Sequence, residues 1–153
     1  MLAKALLEEK SRETITTTPT ASIDEAMDVL IQNNISCLPV LDAKGELIGI
    51  LSDKDIFKKI HATKGEYHSL KVSDVMTGDI IVGLPSDDIN YIAGLMDKNW
   101  IRHVPIVDGS KLVGLISQRD INHTLHARTQ IENRYLNMYM DSLHRRDQSG
   151  DAS

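Results

Sequence analysis

The stretch LPVLDAKGELIGILSDKD at residues 38–55 occurs a second time, in altered form, as VPIVDGSKLVGLISQRD at residues 104–120. The similarity extends upstream as far as Ile23, which a shift of 66 residues places on Ile89. The first copy is one residue longer, and the extra residue lies in the turn that contains Gly45, where insertions disturb a fold least. The chain is therefore interpreted as an internal duplication.

Each copy is predicted to fold as a strand, a helix, two strands and a second helix. Apolar residues at helical spacing follow the capping-box sequence Ser22-x-x-Glu25, and apolar runs on either side of the turn indicate a β-hairpin. The first copy is predicted to contain a strand at 14–18, a helix at 22–33, strands at 35–41 and 46–51, and a helix at 52–61. The second is predicted to contain a strand at 80–84, a helix at 88–99, strands at 101–107 and 111–116, and a helix from 117.

The size of one copy bears on the fold class. A unit of about 60 residues buries too little apolar surface to be comfortably stable alone. The sequence therefore predicts an α/β (α+β) fold in which two β-α-β-β-α repeats pack around a pseudo-two-fold axis, with a cleft on either side of the seam. The predicted organisation is an N-terminal helix at 1–13, repeat 1 at 14–61, a linker at 62–73, repeat 2 at 74–125, and a C-terminal helix and tail at 126–153, with 148–153 frayed.

Composition and charge exclude several classes of protein. The 153 residues are 41% hydrophobic and 25% charged, which is typical of one globular domain or two very small ones. The net charge of −5 gives no general attraction to nucleic acid, and no apolar run approaches the roughly 20 residues that a membrane span requires. Because the single Cys37 excludes an intramolecular disulfide and the N-terminus lacks a signal-like apolar core, we expect a cytoplasmic protein.

The repeated pattern h-P-h-h-D, turn, h-h-G-h-h-S-x-x-D resembles a tandem pair of CBS (cystathionine-β-synthase) domains, also called a Bateman module. Each motif is short, but two ordered copies with matching helices cover residues 14–125. The resemblance implies a stand-alone, non-enzymatic regulator that binds an adenosine derivative, such as AMP, ADP, ATP, S-adenosylmethionine or NAD(H), and acts as an energy or redox sensor. The adenine nucleotide is then a regulatory ligand and not a catalytic cofactor.

Two features of each copy suit a nucleoside phosphate. The strand glycine lets a ligand approach the backbone, and the helix that begins at a serine offers free N–H groups to a phosphate. The resemblance assigns Ser52 and Ser117 to phosphate and Asp55 and Asp120 to the ribose hydroxyls. The S-x-x-D spacing is also that of a capping box, which requires no ligand, and both interpretations stay open. The residues expected to line the clefts are Thr16, Ser36, Cys37, Pro39, Ser52, Lys54, Asp55, Val82, Ile101, Arg102, His103, Pro105, Ser117, Arg119 and Asp120.

The two predicted clefts differ in charge. Arg102, His103 and Arg119 of the second copy align with a serine, a cysteine and a lysine of the first. Because Arg binds phosphate in bidentate fashion, we favour a site that involves these three residues, and the alternative is a solvated strand end. Thr16 aligns with Val82, so a hydroxyl that often contacts the base in the family is missing once.

Other candidate sites are weaker. His123 and His126 lie one turn apart on a predicted helix, but no third ligand accompanies them, and we expect no metal site. Cys37 lies in an apolar strand and is interpreted as a core residue rather than a reactive thiol. Neither a nucleophile elbow, a P-loop nor a dinucleotide-binding motif occurs, so the sequence predicts no catalytic residues and no enzyme.

The last part of the chain predicts an interaction surface. Residues 117–146 contain neither Gly nor Pro and form a long amphipathic pattern that includes Ile131, Tyr135, Met138 and Leu143. So much apolar surface predicts a homodimer, with an unidentified regulated protein as a further partner and with no nucleic acid or membrane partner. The alternative to a nucleotide sensor is a module with empty clefts whose helices dock another protein.

Overall fold

The computed structural model describes residues 1–150 of the chain, and its helices and strands follow the order of the predicted repeat. Residues 1–118 form one unit. Its elements are α1 (Ala3–Lys10), α2 (Ile23–Asn33), β1 (Cys37–Leu41), β2 (Leu47–Ser52), α3 (Asp53–Ala62), α4 (Val72–Val75), α5 (Ile89–Asn99), β3 (His103–Asp108) and β4 (Lys111–Ser117). Helix α6 (Gln118–Gly150) begins directly after β4. The strands form two antiparallel hairpins, β1–β2 and β3–β4.

Helix α2 shows how local sequence and packing agree in the first repeat. Ser22 Oγ accepts a hydrogen bond from the Glu25 N–H at 3.0 Å, and the Glu25 carboxylate accepts one from the Ser22 N–H at 3.3 Å, so the predicted capping box begins the helix. The core of the repeat is formed by Ile23, Ala26, Leu30, Leu38, Val40, Leu51, Ile56 and Val72. Val72 lies in the segment predicted to be a linker, so this segment also contributes to the core.

The first predicted strand of repeat 1 is reduced to a single β-bridge, and two prolines explain why. Thr17 pairs with Val40: its N–H donates to the Pro39 carbonyl at 2.9 Å, and its carbonyl accepts from the Leu41 N–H at 3.0 Å. In a parallel ladder the neighbouring bonds would need N–H groups on Pro39 and Pro19, and proline has none.

In the second repeat, two prolines likewise limit the parallel pairing to a single bridge. Gly83 pairs with Ile106, its N–H donating to the Pro105 carbonyl at 2.9 Å, and Pro85 and Pro105 occupy the two positions where the ladder would continue. The predicted strands at 14–18 and 80–84 are therefore wrong in extent, because all four prolines of the chain lie where they stop parallel pairing after one bridge.

The N-terminal helix packs on the second repeat. The Ala3 N–H donates to the Asp87 carbonyl at 2.8 Å, and Leu7 lies against Gly114 of β4. The contact is so close that a Cβ on Gly114 would approach Leu7 Cδ2 to 2.7 Å. A Cβ at this position would therefore force the end of the Leu7 side chain to shift.

The short helix α4, which precedes the second repeat, packs in the same way on the first. The Val72 N–H donates to the Ala21 carbonyl at 2.8 Å, and a Cβ on Gly49 would lie 2.5 Å from Met76 Sδ. The segment in front of each repeat thus completes the other repeat, and neither repeat is a self-contained unit.

The hairpin turns of the two repeats meet. The Leu47 N–H donates to the Ser110 carbonyl at 3.2 Å, Glu46 forms a β-bridge with Lys111, and Lys111 Nζ donates to the Lys44 carbonyl at 2.7 Å. Because Glu46 and Lys111 are equivalent positions of the two copies, the predicted pseudo-two-fold axis passes between them.

The second unit consists of the remainder of α6 and is helical as far as Gly150. The helix has 33 residues, whereas the matching α3 has 10. Of the segment expected to fray, residues 148–150 are helical and residues 151–153 lie outside the described part of the chain. No helix of residues 1–150 is both long and apolar enough to span a membrane.

Candidate functional site

Each helix that follows a hairpin begins at the hairpin's base. Cys37 pairs with Ser52 in the first repeat and His103 pairs with Ser117 in the second. The first N–H of α3 donates to the Ser36 carbonyl at 2.9 Å, and the first N–H of α6 donates to the carbonyl of the residue before His103 at 2.8 Å. Residues 36–37 and 102–103 therefore lie beside the ends of strands from which helices start.

One contact joins the two hairpin bases. Ser36 Oγ and His103 Nε2 are 3.3 Å apart, and both side chains are half-buried. Arg102 precedes His103 and is exposed. Because the Ser36 carbonyl accepts the Asp53 N–H, His103 of the second repeat lies beside the N-terminus of α3 in the first, and Arg102 is the residue before it. The structure thus brings together predicted site residues from both copies.

The N-terminus of α3 is a complete capping box. Ser52 Oγ accepts from the Asp55 N–H at 3.1 Å, and Asp55 Oδ2 accepts from the Ser52 N–H at 3.1 Å. The capping interpretation of this S-x-x-D sequence is therefore observed. It leaves the second carboxylate oxygen of Asp55 able to accept a ribose hydroxyl, so capping and ligand contact are compatible. Lys54, in the same turn, is exposed.

Cys37 is the least suited of the predicted residues to contact a polar ligand. Its side chain is 4% exposed in β1, and burial raises the pKa of the thiol to about 12, with the negative charges of Asp55 and Asp53 adding to the rise. At neutral pH the sulfur is therefore a protonated, packed group and not a nucleophile.

Thr16 lies away from the hairpin bases. It lines an open cleft of about 400 Å³ beside the meeting hairpin turns. The other lining residues are Arg12, Glu13, Thr14, Leu41, Gly45, Lys111, Leu112 and Val113. Arg12 and Lys111 were not predicted for a site; Lys111 could have been found only from its pseudo-symmetric position opposite Glu46. Val82, the counterpart of Thr16, is exposed.

The remaining predicted residues occupy backbone and helix positions. Pro39 and Pro105 are buried in the hairpins, where their carbonyls accept the bridge hydrogen bonds described above. Ile101 is half-buried before β3. Arg119 and Asp120 lie in the first turn of α6, at the positions that Lys54 and Asp55 occupy in α3.

The two histidines considered for a metal lie on α6. His126 is exposed, and its Nε2 lies 3.1 Å from the Gln130 side-chain nitrogen. Among residues 1–150 there is no group of three or more His, Cys, Asp or Glu side chains arranged to hold a metal ion.

Comparisons with known proteins agree with the duplication. The family model of the CBS domain matches twice, at residues 8–62 and 72–127. The CBS domain-containing protein YhcV of Bacillus subtilis is 34% identical over 106 residues, which are 69% of this chain and 74% of that protein. Further curated relatives are longer: the chain spans only 20% to 49% of their length, and several bear the names of enzymes.

Solved structures show the same architecture. The CBS-domain containing protein ATU1752 from Agrobacterium tumefaciens is 30% identical with a TM-score of 0.74, over 80% of this chain and 91% of that one. The CBS domain pair of protein MJ0100, solved in complex with 5′-methylthioadenosine and S-adenosyl-L-methionine, is 31% identical with a TM-score of 0.73, over 84% of this chain and 98% of that one. With its two matched segments and these neighbours, the chain belongs to the CBS domain family and carries two CBS domains in tandem.

Proposed function

We propose that the chain is a non-enzymatic regulatory module that binds an adenosine-containing ligand between its two CBS domains. The observation that carries the proposal is the 3.3 Å contact between Ser36 and His103, which brings an imidazole of the second repeat, preceded in the chain by Arg102, to the start of α3 in the first. The ligands of the MJ0100 pair, which both contain adenosine, support the same class of ligand.

The side chains around the start of α3 favour a phosphate-bearing ligand. Lys54 is an exposed cation in the first turn of α3, at the positive end of the helix dipole, and Arg102 is an exposed cation that precedes His103 in the chain. The free carboxylate oxygen of Asp55 is a suitable acceptor for a ribose hydroxyl. AMP, ADP, ATP and NAD(H) offer both groups, whereas adenosine offers only the second.

Isothermal titration calorimetry with adenosine, AMP, ADP, ATP, S-adenosylmethionine and NADH tests the proposal. Arg102→Ser gives the second repeat the residue of the first and should weaken AMP binding about 10- to 100-fold, with adenosine little affected. Lys44→Ser, the same change of charge in an exposed turn, is the matched control and should leave both affinities unchanged. If no adenosine compound binds the wild type, the proposal is wrong and the interaction module described below replaces it.

A second pair of variants separates capping from ligand contact. Asp55→Ala and Asp120→Ala should each cost only about 1 kcal/mol of unfolding free energy as lost caps. If the carboxylates also hold ribose, at least one of the variants should lose most ribonucleoside affinity while remaining folded by circular dichroism. Unchanged affinity in both would assign these residues to capping alone.

The setting of the module is part of the same proposal. We infer that it acts as an energy or redox sensor in the cytoplasm, as a homodimer that regulates an unidentified partner protein. Exposed apolar side chains on or directly after the helices of the first unit support a protein contact: Ile31 is 77%, Phe57 73% and Trp100 94% exposed. The same side chains favour the second candidate, a ligand-free interaction module, if the calorimetric tests fail.

A further inference from the structure

The C-terminal half of α6 carries a stripe of exposed apolar side chains: Ile131, Tyr135, Leu136, Met138, Tyr139 and Met140 are between 51% and 74% exposed. Together they expose on the order of several hundred Å² of apolar surface, a large share of the about 800 Å² that each partner buries in a stable interface. An α-helix of 33 residues is also longer than globular packing requires and is typical of helices that pair with another helix.

Three residues define one line along this part of the helix. Glu132, Tyr139 and Arg146 follow one another at intervals of seven, so they lie along one line of the helix. Residues 135–136 and 142–143 lie one turn away on the same face. This face can contact a neighbouring helix around Tyr139, and a charged residue stands at each end of the line.

The two charges distinguish between orientations of such a pair. In a parallel pair of identical helices in register, Glu132 would face Glu132 and Arg146 would face Arg146, which is repulsive at both ends. In an antiparallel pair centred on Tyr139, Glu132 of each helix faces Arg146 of the other, because both are seven residues from the centre. Among the described residues, neither side chain makes an ion pair within its own chain.

We propose that a second copy of this chain covers the stripe, through an antiparallel helix pair whose two-fold axis passes at Tyr139. The proposal rests on the homodimer proposed above and adds the orientation and register of one contact. Tyr135 of each helix then faces Leu143 of the other, and the two Tyr139 side chains meet at the axis. The contact is isologous, which closes the assembly at two chains.

Disulfide cross-linking tests this helix register directly. The native Cys37 is buried with a raised pKa and gives little background. Tyr139→Cys should form a disulfide dimer under mild oxidation, whereas Asn137→Cys, about 200° away around the helix, should not. Glu132→Cys should also remain monomeric on denaturing gels, because in the antiparallel register the two copies of this position are about 20 Å apart. Efficient cross-linking of Glu132→Cys would overturn the proposal in favour of a parallel pair.

Charge exchange provides an independent readout. In sedimentation equilibrium, Glu132→Arg and Arg146→Glu should each weaken dimerisation about tenfold, and the double variant should restore the wild-type constant. If another interface also holds the dimer together, the charge variants are combined with Tyr139→Cys. Each single charge variant should then slow the cross-linking of Tyr139→Cys, and the double variant should restore its rate. A wild-type mass near 17.1 kDa would refute the homodimer itself, whereas a dimer in which Tyr139→Cys fails to cross-link would refute only this helix pairing.

Discussion

The two repeats of this chain share one backbone plan and differ at the base of their hairpins. Both pair the first residue of one strand with a serine that precedes a helix, Ser52 in one repeat and Ser117 in the other. At the position of the buried Cys37, the second repeat has the half-buried His103, preceded by an exposed arginine. Most apolar positions, which determine packing, are shared by the two copies, whereas the positions at the base of the hairpins differ in charge.

Two further differences concern packing rather than charge. Helix α2 ends at Asn34 in the left-handed conformation, with φ 50°, and α5 ends at Trp100 with φ 56°. The strand glycine is covered by a methionine and the adjoining backbone in the first repeat, but only by the end of a leucine side chain in the second. Each of these differences gives a pair of equivalent positions at which the same substitution should have unequal effects.

The largest difference should be in the chemistry of Cys37 and His103. Because burial raises the pKa of Cys37 to about 12, its reaction with a disulfide reagent at pH 8 should be about 1000-fold slower in the folded chain than in urea. His103→Cys, with Cys37 replaced by Ala, places a thiol at the half-buried equivalent position and should react much faster. Comparable rates for the two folded thiols would contradict the assigned burial.

The same pKa has a consequence for stability. The folded thiol holds its proton to a higher pH than the unfolded one, so its contribution to stability is complete below about pH 9 and declines as the pH rises toward 12. Urea denaturation of the wild type and of Cys37→Ala across this range should show a steeper decline of the unfolding free energy in the wild type, because the lysines and tyrosines titrate in both proteins.

The helix in front of each repeat packs on the other repeat, and the next prediction tests this arrangement. Leu6 in α1 is 2% exposed, and Leu6→Ala should lower the unfolding free energy by about 2 to 5 kcal/mol, although the helix lies outside both predicted repeats. Leu2→Ala, at a position 48% exposed next to the same helix, should cost less than about 1 kcal/mol. A loss of the helix signal without a change in the main unfolding transition would show that α1 is not part of the cooperative unit.

The glycines under these helices sharpen the comparison. A Cβ at Gly49 would lie 2.5 Å from Met76 Sδ and 3.2 Å from the Thr77 carbonyl oxygen, whereas one at Gly114 would meet only the flexible end of Leu7. Gly49→Ala should therefore cost about 1 to 3 kcal/mol, and Gly114→Ala less. Thermal or urea unfolding of both variants decides this, and equal costs would contradict the difference in packing.

The sequence was sufficient to predict the hairpins and helices of both repeats, because the duplication presents each hydrophobic and turn pattern twice. It was insufficient for features that depend on distant partners. Pro19 and Pro39 shorten the first strand only because Thr17 lies parallel to β1, and pairing direction is not visible in the sequence. The contacts of α1 and α4 and the contact between Ser36 and His103 join residues between 27 and 107 positions apart, which no local pattern specifies.

The smallest expected effect concerns the ends of α2 and α5. A left-handed conformation suits Asn but strains a bulky residue, and Trp100 is 94% exposed, so it gains no packing within the chain in return. Trp100→Asn should therefore raise the unfolding free energy by roughly 0.5 to 1 kcal/mol, and Asn34→Trp should lower it by a similar amount, in urea titrations with unchanged slopes. The sign of this change in unfolding free energy must be measured at protein concentrations well below the dimer dissociation constant. If Trp100→Asn is instead destabilising, and only at high protein concentration, the tryptophan is covered by another chain, and its strain is retained for that contact rather than for the fold.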